Sequence, residues 1–386
     1  MPTTPDATRT TGRFIHAASE TCADMWYASG FAAPDPFLWF AVPGLTAVVI
    51  GPLELGRARK EARPGLTVLS EREFRRDFHL PDDAGSGPRD MLAAISRIAG
   101  ITGWEAPASM PLGLARELEA AGLSVQPVAC FFPERARKNP AEVAEIEHGV
   151  RLAEAGLAWA LEILRDAEIG AHDCLLWHGQ PVTSELLRGE IAATIARLGG
   201  AAGHTIAAVG RQAADPHLVG NGPVHAYEPI VLDIFPRVER SGYFGDLTRT
   251  VVKGRAPEGI QRAYAAVCEA QRRACREVRA GVPGSAVHTA AARALEAAGF
   301  STDLKADPPH GFIHGLGHGL GLEIHELPRL NAKAEALLEA GQVITVEPGL
   351  YDPAWGGIRL EDVIVVEEGG YRNLTRAPLM LEIPLT

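Results

Sequence analysis

Read as a succession of apolar and polar positions, the chain changes rhythm about a third of the way along. Over residues 38–42 and 46–51 continuous apolar runs flank Pro43-Gly44, which predicts two strands and a turn. Residues 53–62 predict a helix and 66–69 a strand. Met91, Leu92, Ile95 and Ile98 recur at helical spacing within 88–101. A helix over 112–121 and a strand over 125–129 complete a small α/β domain spanning 13–136. Residues 1–12 are polar and predict a disordered N-terminus, and 134–138 read as a charged linker.

The pattern then lengthens, and residues 137–386 form a second domain. Asn139-Pro140 opens a long helix: Asn suits the N-cap, Pro the first helical position, and Glu142 and Glu145 the first turns. Val143, Ile146, Val150, Leu157, Leu161 and Leu164 make its apolar stripe. Residues 183–198 predict a second helix capped by Thr183 or Ser184. Strands follow, and the order repeats: a helix over 257–280, a glycine-containing turn at 281–284, a helix over 285–298, and strands from 311 to 366. Two αα-then-ββ halves facing one another would place a site at their junction.

The bulk properties narrow the function. Of the 386 residues, 46% are hydrophobic and 22% charged, with a formal net charge of −11. That is an ordinary soluble composition, and it argues against nucleic acid as a partner. The most apolar stretch, 37–52, is too short to span a membrane. The N-terminus lacks the apolar segment of a signal peptide. The five cysteines (Cys22, Cys130, Cys174, Cys268, Cys275) are scattered and include no C-x-x-C, which fits reduced thiols in the cytoplasm. Asp24 and His79 are the only weakly notable chemical groups of the first domain.

The chemistry concentrates near the C-terminus. His310, His314, His318 and His325 fall within sixteen residues, interleaved with glycines. Glu347 and Glu361 each lie in short apolar runs, as do Asp233 and Asp246 upstream. If the loop between those aspartates is 238–241, Arg237 faces Gly242 and Asp233 faces Asp246, with Cβ atoms about 5 Å apart. Carboxylates that close repel, and a divalent cation inverts that penalty. Four carboxylates and one imidazole suit Mn²⁺, Co²⁺, Zn²⁺ or Fe²⁺ rather than a thiolate-bound structural zinc. Five such ligands fit two ions about 3.5–4 Å apart.

The stretches LDIFPRVERSGYFGDLTRTVVKG, HGLGHGLGLEIHELP, ITVEPGLY and GGIRLED resemble the pita-bread metallopeptidase family, which includes aminopeptidase P, prolidase, methionine aminopeptidase and creatinase. FIHAASETCADMWYASGF and APDPFLWF resemble the α/β domain that precedes the catalytic domain in aminopeptidase P, prolidase and creatinase, and that methionine aminopeptidases lack. The resemblance implies an α+β chain: a pita-bread catalytic domain, two αα-ββ pseudo-repeats around a curved antiparallel sheet, after a smaller creatinase-type domain. It implies Asp233, Asp246, His318, Glu347 and Glu361 as metal ligands, with Asp246 and Glu361 bridging two divalent ions, Mn²⁺ foremost. It places His217, His314 and His325 at the substrate, with His225 as the rival of His217, and Arg359 as the orienting partner of Glu361. His310 reads as a rim residue. The hairpin between the aspartates is two residues longer than usual, and Gly245, where serine is common, reads as a neutral change.

The activity implied is hydrolysis of an Xaa–Pro bond by hydroxide held between the ions. Glu347 would move the proton, and His325 and His217 would hydrogen-bond the developing oxyanion and the substrate backbone. The substrate would be a peptide with proline in second position, and the protein a homodimer whose N-terminal domain helps close the site. Arg329 is a candidate for the free carboxylate of a dipeptide, which would separate a prolidase from an aminopeptidase P. The alternatives are a metal-dependent hydrolase or lyase of a small osmolyte-like molecule, a creatinase-like hydrolase, and a binding protein without catalysis.

Overall fold

The computed structural model describes residues 10–85 and 87–385. The chain divides between Arg135 and Ala136 into two compact units. Residues 1–9 of the expected disordered terminus lie outside the described residues. Residues 11 and 12, also expected to be disordered, instead open the strand Thr11–Ala17. Gly12 fits there because a Cβ would lie 2.6 Å from the Trp104 ring.

The first unit is a six-stranded mixed sheet with helices. Its spatial order runs Thr67–Ser70, Leu45–Ile50, Phe37–Val42, Thr11–Ala17, Gly103–Pro107, Val125–Val128. The central strands are antiparallel, and the pairs at either edge are parallel. Four of these strands answer to the segments expected at 38–42, 46–51, 66–69 and 125–129; Thr11–Ala17 and Gly103–Pro107 are additional. The helix Glu71–Asp77 is also additional. It carries one buried apolar residue, Phe74, and is started by a reciprocal Ser70–Glu73 capping box.

In the second unit the helix Pro140–Asp166 begins where expected, with the Asn139 side chain accepting from Ala141 and Glu142 N–H groups. Thr183 caps Ser184–Arg197 through Leu186 N–H. These two helices bury Leu157, Leu164, Leu187 and Ile191 against Ile230, Leu232 and Val251. The helices Glu258–Glu277 and Gly284–Ala297 bury Val267, Ala274, Val287 and Leu295 against Ile344, Val346 and Ile364. Each half is thus a helix pair on its own strands, which is the repeat read from the sequence. The first half carries a four-stranded sheet and the second a five-stranded one. They are stitched together where Glu361 N–H donates to Thr248 O and where Thr250 Oγ1 bonds both backbone groups of Arg359. Residues 137 and 138 are not free linker. Arg137 pairs with Gln342, and Lys138 N–H donates to Gly341 O.

The aspartate hairpin has a different register from the one expected. Asp233 lies opposite Thr248, and Arg237 opposite Phe244. The loop is two residues longer at its tip, closed by Val238 N–H to Tyr243 O and Gly242 N–H to Val238 O. A shift of two residues preserves the face on which each side chain stands.

Candidate metal centre

Four of the five expected ligands arise at strand ends or just beyond them. Asp233 closes the strand Ile230–Asp233, and Asp246 precedes Thr248–Lys253 by two residues. His318 is central in Gly317–Gly319, Glu347 follows Val343–Val346, and Glu361 sits between Gly356–Arg359 and Asp362–Glu367. The five side chains line one cavity of about 840 Å³, together with His217, His314, His325, Arg329 and Arg359. Ligand atoms of Asp246, His318 and Glu361 lie within 4.8 Å of one another. His318 Nε2 is 3.3 Å from Glu347 Oε1 and 3.8 Å from Asp246 Oδ2.

Backbone packing holds Asp246 in place. A Cβ on Gly245 would lie 2.0 Å from the carbonyl carbon of Gly149, and one on Gly149 would lie 2.5 Å from Gly245 N. Both positions need glycine, because the segment before Asp246 rests directly on the helix Pro140–Asp166. Glycine at 245 is therefore a packing requirement of this chain and not a neutral change.

The electrostatics fit a cationic occupant. Burial raises the Asp246 carboxyl well above its ordinary value, and Asp233 and Glu347 push in the same direction. Burial likewise raises Glu361, reinforced by Asp246, Glu347 and Asp233. Glu347 behaves oppositely. Burial would raise it, but the hydrogen bond and charge of His318, with His314 and Arg359, outweigh burial and hold it down at about 2. Among the described residues Asp233 Oδ1 is buried without a hydrogen-bond partner. His318 gives the clearest sign. Its Nδ1 faces only the Gly319 carbonyl at 3.1 Å and must donate to it. In the neutral ring that leaves the Nε2 lone pair facing Glu347 and Asp246, which is repulsive unless a proton or a cation lies between. Burial lowers the His318 pKa, but Glu347 and Asp246 more than reverse this.

Arg359 does not address Glu361 directly. Its Nη2 donates to Asp233 Oδ2 at 2.6 Å and its Nη1 to Tyr351 Oη at 2.9 Å. Glu361 is instead oriented by Thr248, whose Oγ1 donates to Oε2 at 2.7 Å. Thr248 carries no sequence signal on its own, since Glu361 is 113 residues away; Tyr351 meets Arg359 within its own strand pair and His314 from 37 residues upstream. His314 is fully committed. Nδ1 must donate to Gly315 O at 2.6 Å, so Nε2 accepts from Tyr351 Oη at 2.9 Å. Burial lowers its pKa and keeps it neutral.

His217 lines the cavity, whereas His225 does not; His225 Nδ1 lies 3.1 Å from His172 O, and residue 225 bridges to Cys174. His310 pairs with Asp303 away from the cavity wall. His325 packs edge-on to His318 at 4.4 Å between ring centroids. His204, Phe235 and Asn331 also line the cavity and were not expected from the sequence. Among the described residues the Arg329 guanidinium makes no hydrogen bond or ion pair, although it borders the cavity. No helix among them is long and apolar enough to cross a membrane.

Comparison with known proteins places these features in context. The sequence profile of Metallopeptidase family M24 matches residues 144–368. The Xaa-Pro dipeptidase of Pyrococcus furiosus is 36% identical over 173 residues, covering 45% of this chain and 47% of that protein. In sequence, the chain therefore spans about half the length of this curated relative. Among solved structures, a dipeptidase from Pyrococcus horikoshii superposes with a TM-score of 0.77 at 27% identity, covering 97% of this chain and 96% of the other. An X-Pro aminopeptidase from Thermotoga maritima superposes with a TM-score of 0.80 at 22% identity over 97% and 98% of the two chains, a likeness of fold.

Proposed function

The chain belongs to metallopeptidase family M24, and on that premise we propose that it hydrolyses Xaa–Pro dipeptides with the help of two divalent cations. The observation that carries the dipeptide reading is Arg329. It is a cation bordering the catalytic cavity with its hydrogen-bonding capacity free, suited to the C-terminal carboxylate that a dipeptide places within a few ångströms of the scissile bond. The similarity to Xaa-Pro dipeptidases and dipeptidases supports it.

Asp233, Asp246, His318, Glu347 and Glu361 would hold the cations, Mn²⁺ foremost. When bound, the cations act as Lewis acids that polarise the scissile carbonyl and acidify water. Glu347, held ionised by His318, takes the proton of the attacking water and delivers it to the proline nitrogen as the C–N bond breaks. His325 and His217 donate to the developing oxyanion and the substrate backbone. His314 has no donor to spare and forms a neutral wall that keeps Tyr351 and Arg359 in place. Arg359 fixes Asp233 in one orientation, and Thr248 does the same for Glu361. An Xaa–Pro bond is a tertiary amide without N–H, so the cavity has no acceptor to provide at that position. The resemblance to the pita-bread metallopeptidases supports a homodimer.

The test is a paired assay on metal-stripped protein reloaded with Mn²⁺, using Ala-Pro and Ala-Pro-Ala. Cleavage of Ala-Pro, with its KM raised by Arg329→Met, is the expected result. Cleavage of the tripeptide alone would make the protein an aminopeptidase, and cleavage of neither with metal bound would move the reading to a non-peptide substrate.

A further inference from the structure

His325 sits at the end of a loop, and the structure shows how that loop is shaped. Residue Glu326 follows it in the strand Glu326–Leu330, whose side chains alternate between buried and exposed. Neighbouring side chains in an extended segment point to opposite sides. His325 reaches the cavity and the His318 ring, so Glu326 points away, into the protein. There its Oε2 accepts from Lys138 Nζ at 2.9 Å, with side-chain exposures of 6% and 2%. Its Oε1 accepts from Glu323 N–H at 3.1 Å, closing the loop on itself. Gly321 lies against the same carboxylate, where a Cβ would come within 2.6 Å of Oε2. The loop also shifts the strand register: His318 opposes Arg329, but Gly319 opposes Glu326. The carboxylate of Glu326 is thus the centre around which residues 321–326 fold, and Lys138 neutralises it from 188 positions upstream.

We infer that Lys138 and Glu326 are a positioning pair for His325, a role that rests on the reading of His325 as a donor to the reacting peptide. Two buried opposite charges are costly to assemble and add little net stability over apolar residues. What this pair does add is a fixed register, which aims the next side chain along the chain. Neither residue touches the cavity, so both act only through the loop.

The experiment is a double-mutant cycle in the full-length protein, with Ala-Pro as substrate and Mn²⁺ as the metal: Lys138→Met, His325→Ala, the double variant, and Lys138→Arg. Lys138→Met is expected to lower kcat roughly 10- to 100-fold, the scale of a misplaced catalytic group, with KM and Mn²⁺ affinity unchanged. The double variant is expected to be no slower than His325→Ala, and Lys138→Arg to recover part of the loss. In metal-free Lys138→Met, amide exchange is expected to accelerate over residues 321–326. A wild-type kcat in Lys138→Met, or losses that multiply in the double variant, would overturn the inference. A wild-type kcat in His325→Ala would instead overturn the donor reading and this inference with it. Should Lys138→Met fail to fold, the paired Lys138→Met/Glu326→Met variant leaves no unpaired charge, and the same kcat comparison decides.

Discussion

The two units of this chain bury different kinds of residue. In residues 10–135 the interior is aromatic and aliphatic: Phe74 stacks on Phe78, Phe40 packs edge-on to both, and Phe14 meets Trp104. The buried polar residues there are Ser19 and Ser29, while ion pairs such as Arg59–Glu73 stay at the surface. Residues 136–385 bury Lys138, Asp246, Arg249, His318, Glu326, Arg359 and Glu361. An apolar interior needs no partners, whereas a buried charge persists only with a counter-charge, hydrogen bonds or a metal. Arg249 illustrates the requirement. Its guanidinium spends its donors on the carbonyls of Thr248, Glu361, Ala377 and Pro378 and on the Asp362 carboxylate. The contrast marks the second unit as the one whose interior is arranged for chemistry.

The largest expected effect is on that chemistry. Glu347→Gln removes the group proposed to move the proton and should lower kcat by about 10²–10⁴-fold, measured on Ala-Pro. A loss below tenfold would break the contrast, because the buried charge would then be structural. In the first unit the corresponding large effect is on stability. Phe74→Ala should cost about 3–5 kcal/mol in urea unfolding followed at the first unit's tryptophans. Next comes Gly245→Ser, which drives a side chain into the Gly149 backbone and should cost about 1–3 kcal/mol. It should also weaken metal binding, because Asp246 moves with its neighbour. The smallest is Gly113→Ala in the helix Leu112–Ala120, where a Cβ meets nothing within 4 Å. It should stabilise by about 0.4–1 kcal/mol and leave kcat unchanged.

Acidity sharpens the same contrast. In metal-free protein Asp246 and Glu361 titrate above their ordinary values, so the folded state holds protons that the unfolded chain has released. Stability should therefore fall as pH rises from about 4 through their raised values. His318, raised by Glu347, adds stability at low pH that is also lost on the way up. Glu347, held at about 2, contributes the opposite slope below its ordinary value. The buried His314, lowered by burial, adds the opposite slope below its ordinary value, so calorimetry in chelator should show Tm falling above about pH 6.5. Saturating Mn²⁺ should flatten or reverse that slope.

Much of the site was legible because its residues sit in dense local motifs. His314, His318 and His325 of the glycine-rich run, and the glutamates within apolar runs, line the cavity, whereas His310 of the same run does not. What was hidden depends on pairings distant in sequence. The hairpin register differs by two because β-propensity does not fix how many residues close a loop; the face survived because the shift is even. Arg359 is two positions from Glu361 in sequence yet bonds Asp233, since the sheet brings a distant strand closer than the chain does. Gly149 with Gly245, and Lys138 with Glu326, are contacts between segments roughly a hundred or more residues apart, and neither partner is unusual alone. In the first unit Gly103–Pro107 lacks clean alternation and Glu71–Asp77 has a single buried apolar residue, although Ser70 and Glu73 offered a capping signal.

The central claim is that the buried carboxylates of the second unit exist to hold divalent cations for hydrolysis. It is tested most directly by titrating metal-stripped protein with Mn²⁺ while measuring bound metal per chain and Ala-Pro turnover together. The expected result is negligible turnover without metal, rising with occupancy and saturating at two ions per chain. Full turnover in thoroughly chelated protein, or saturating turnover with no bound ion, would contradict it.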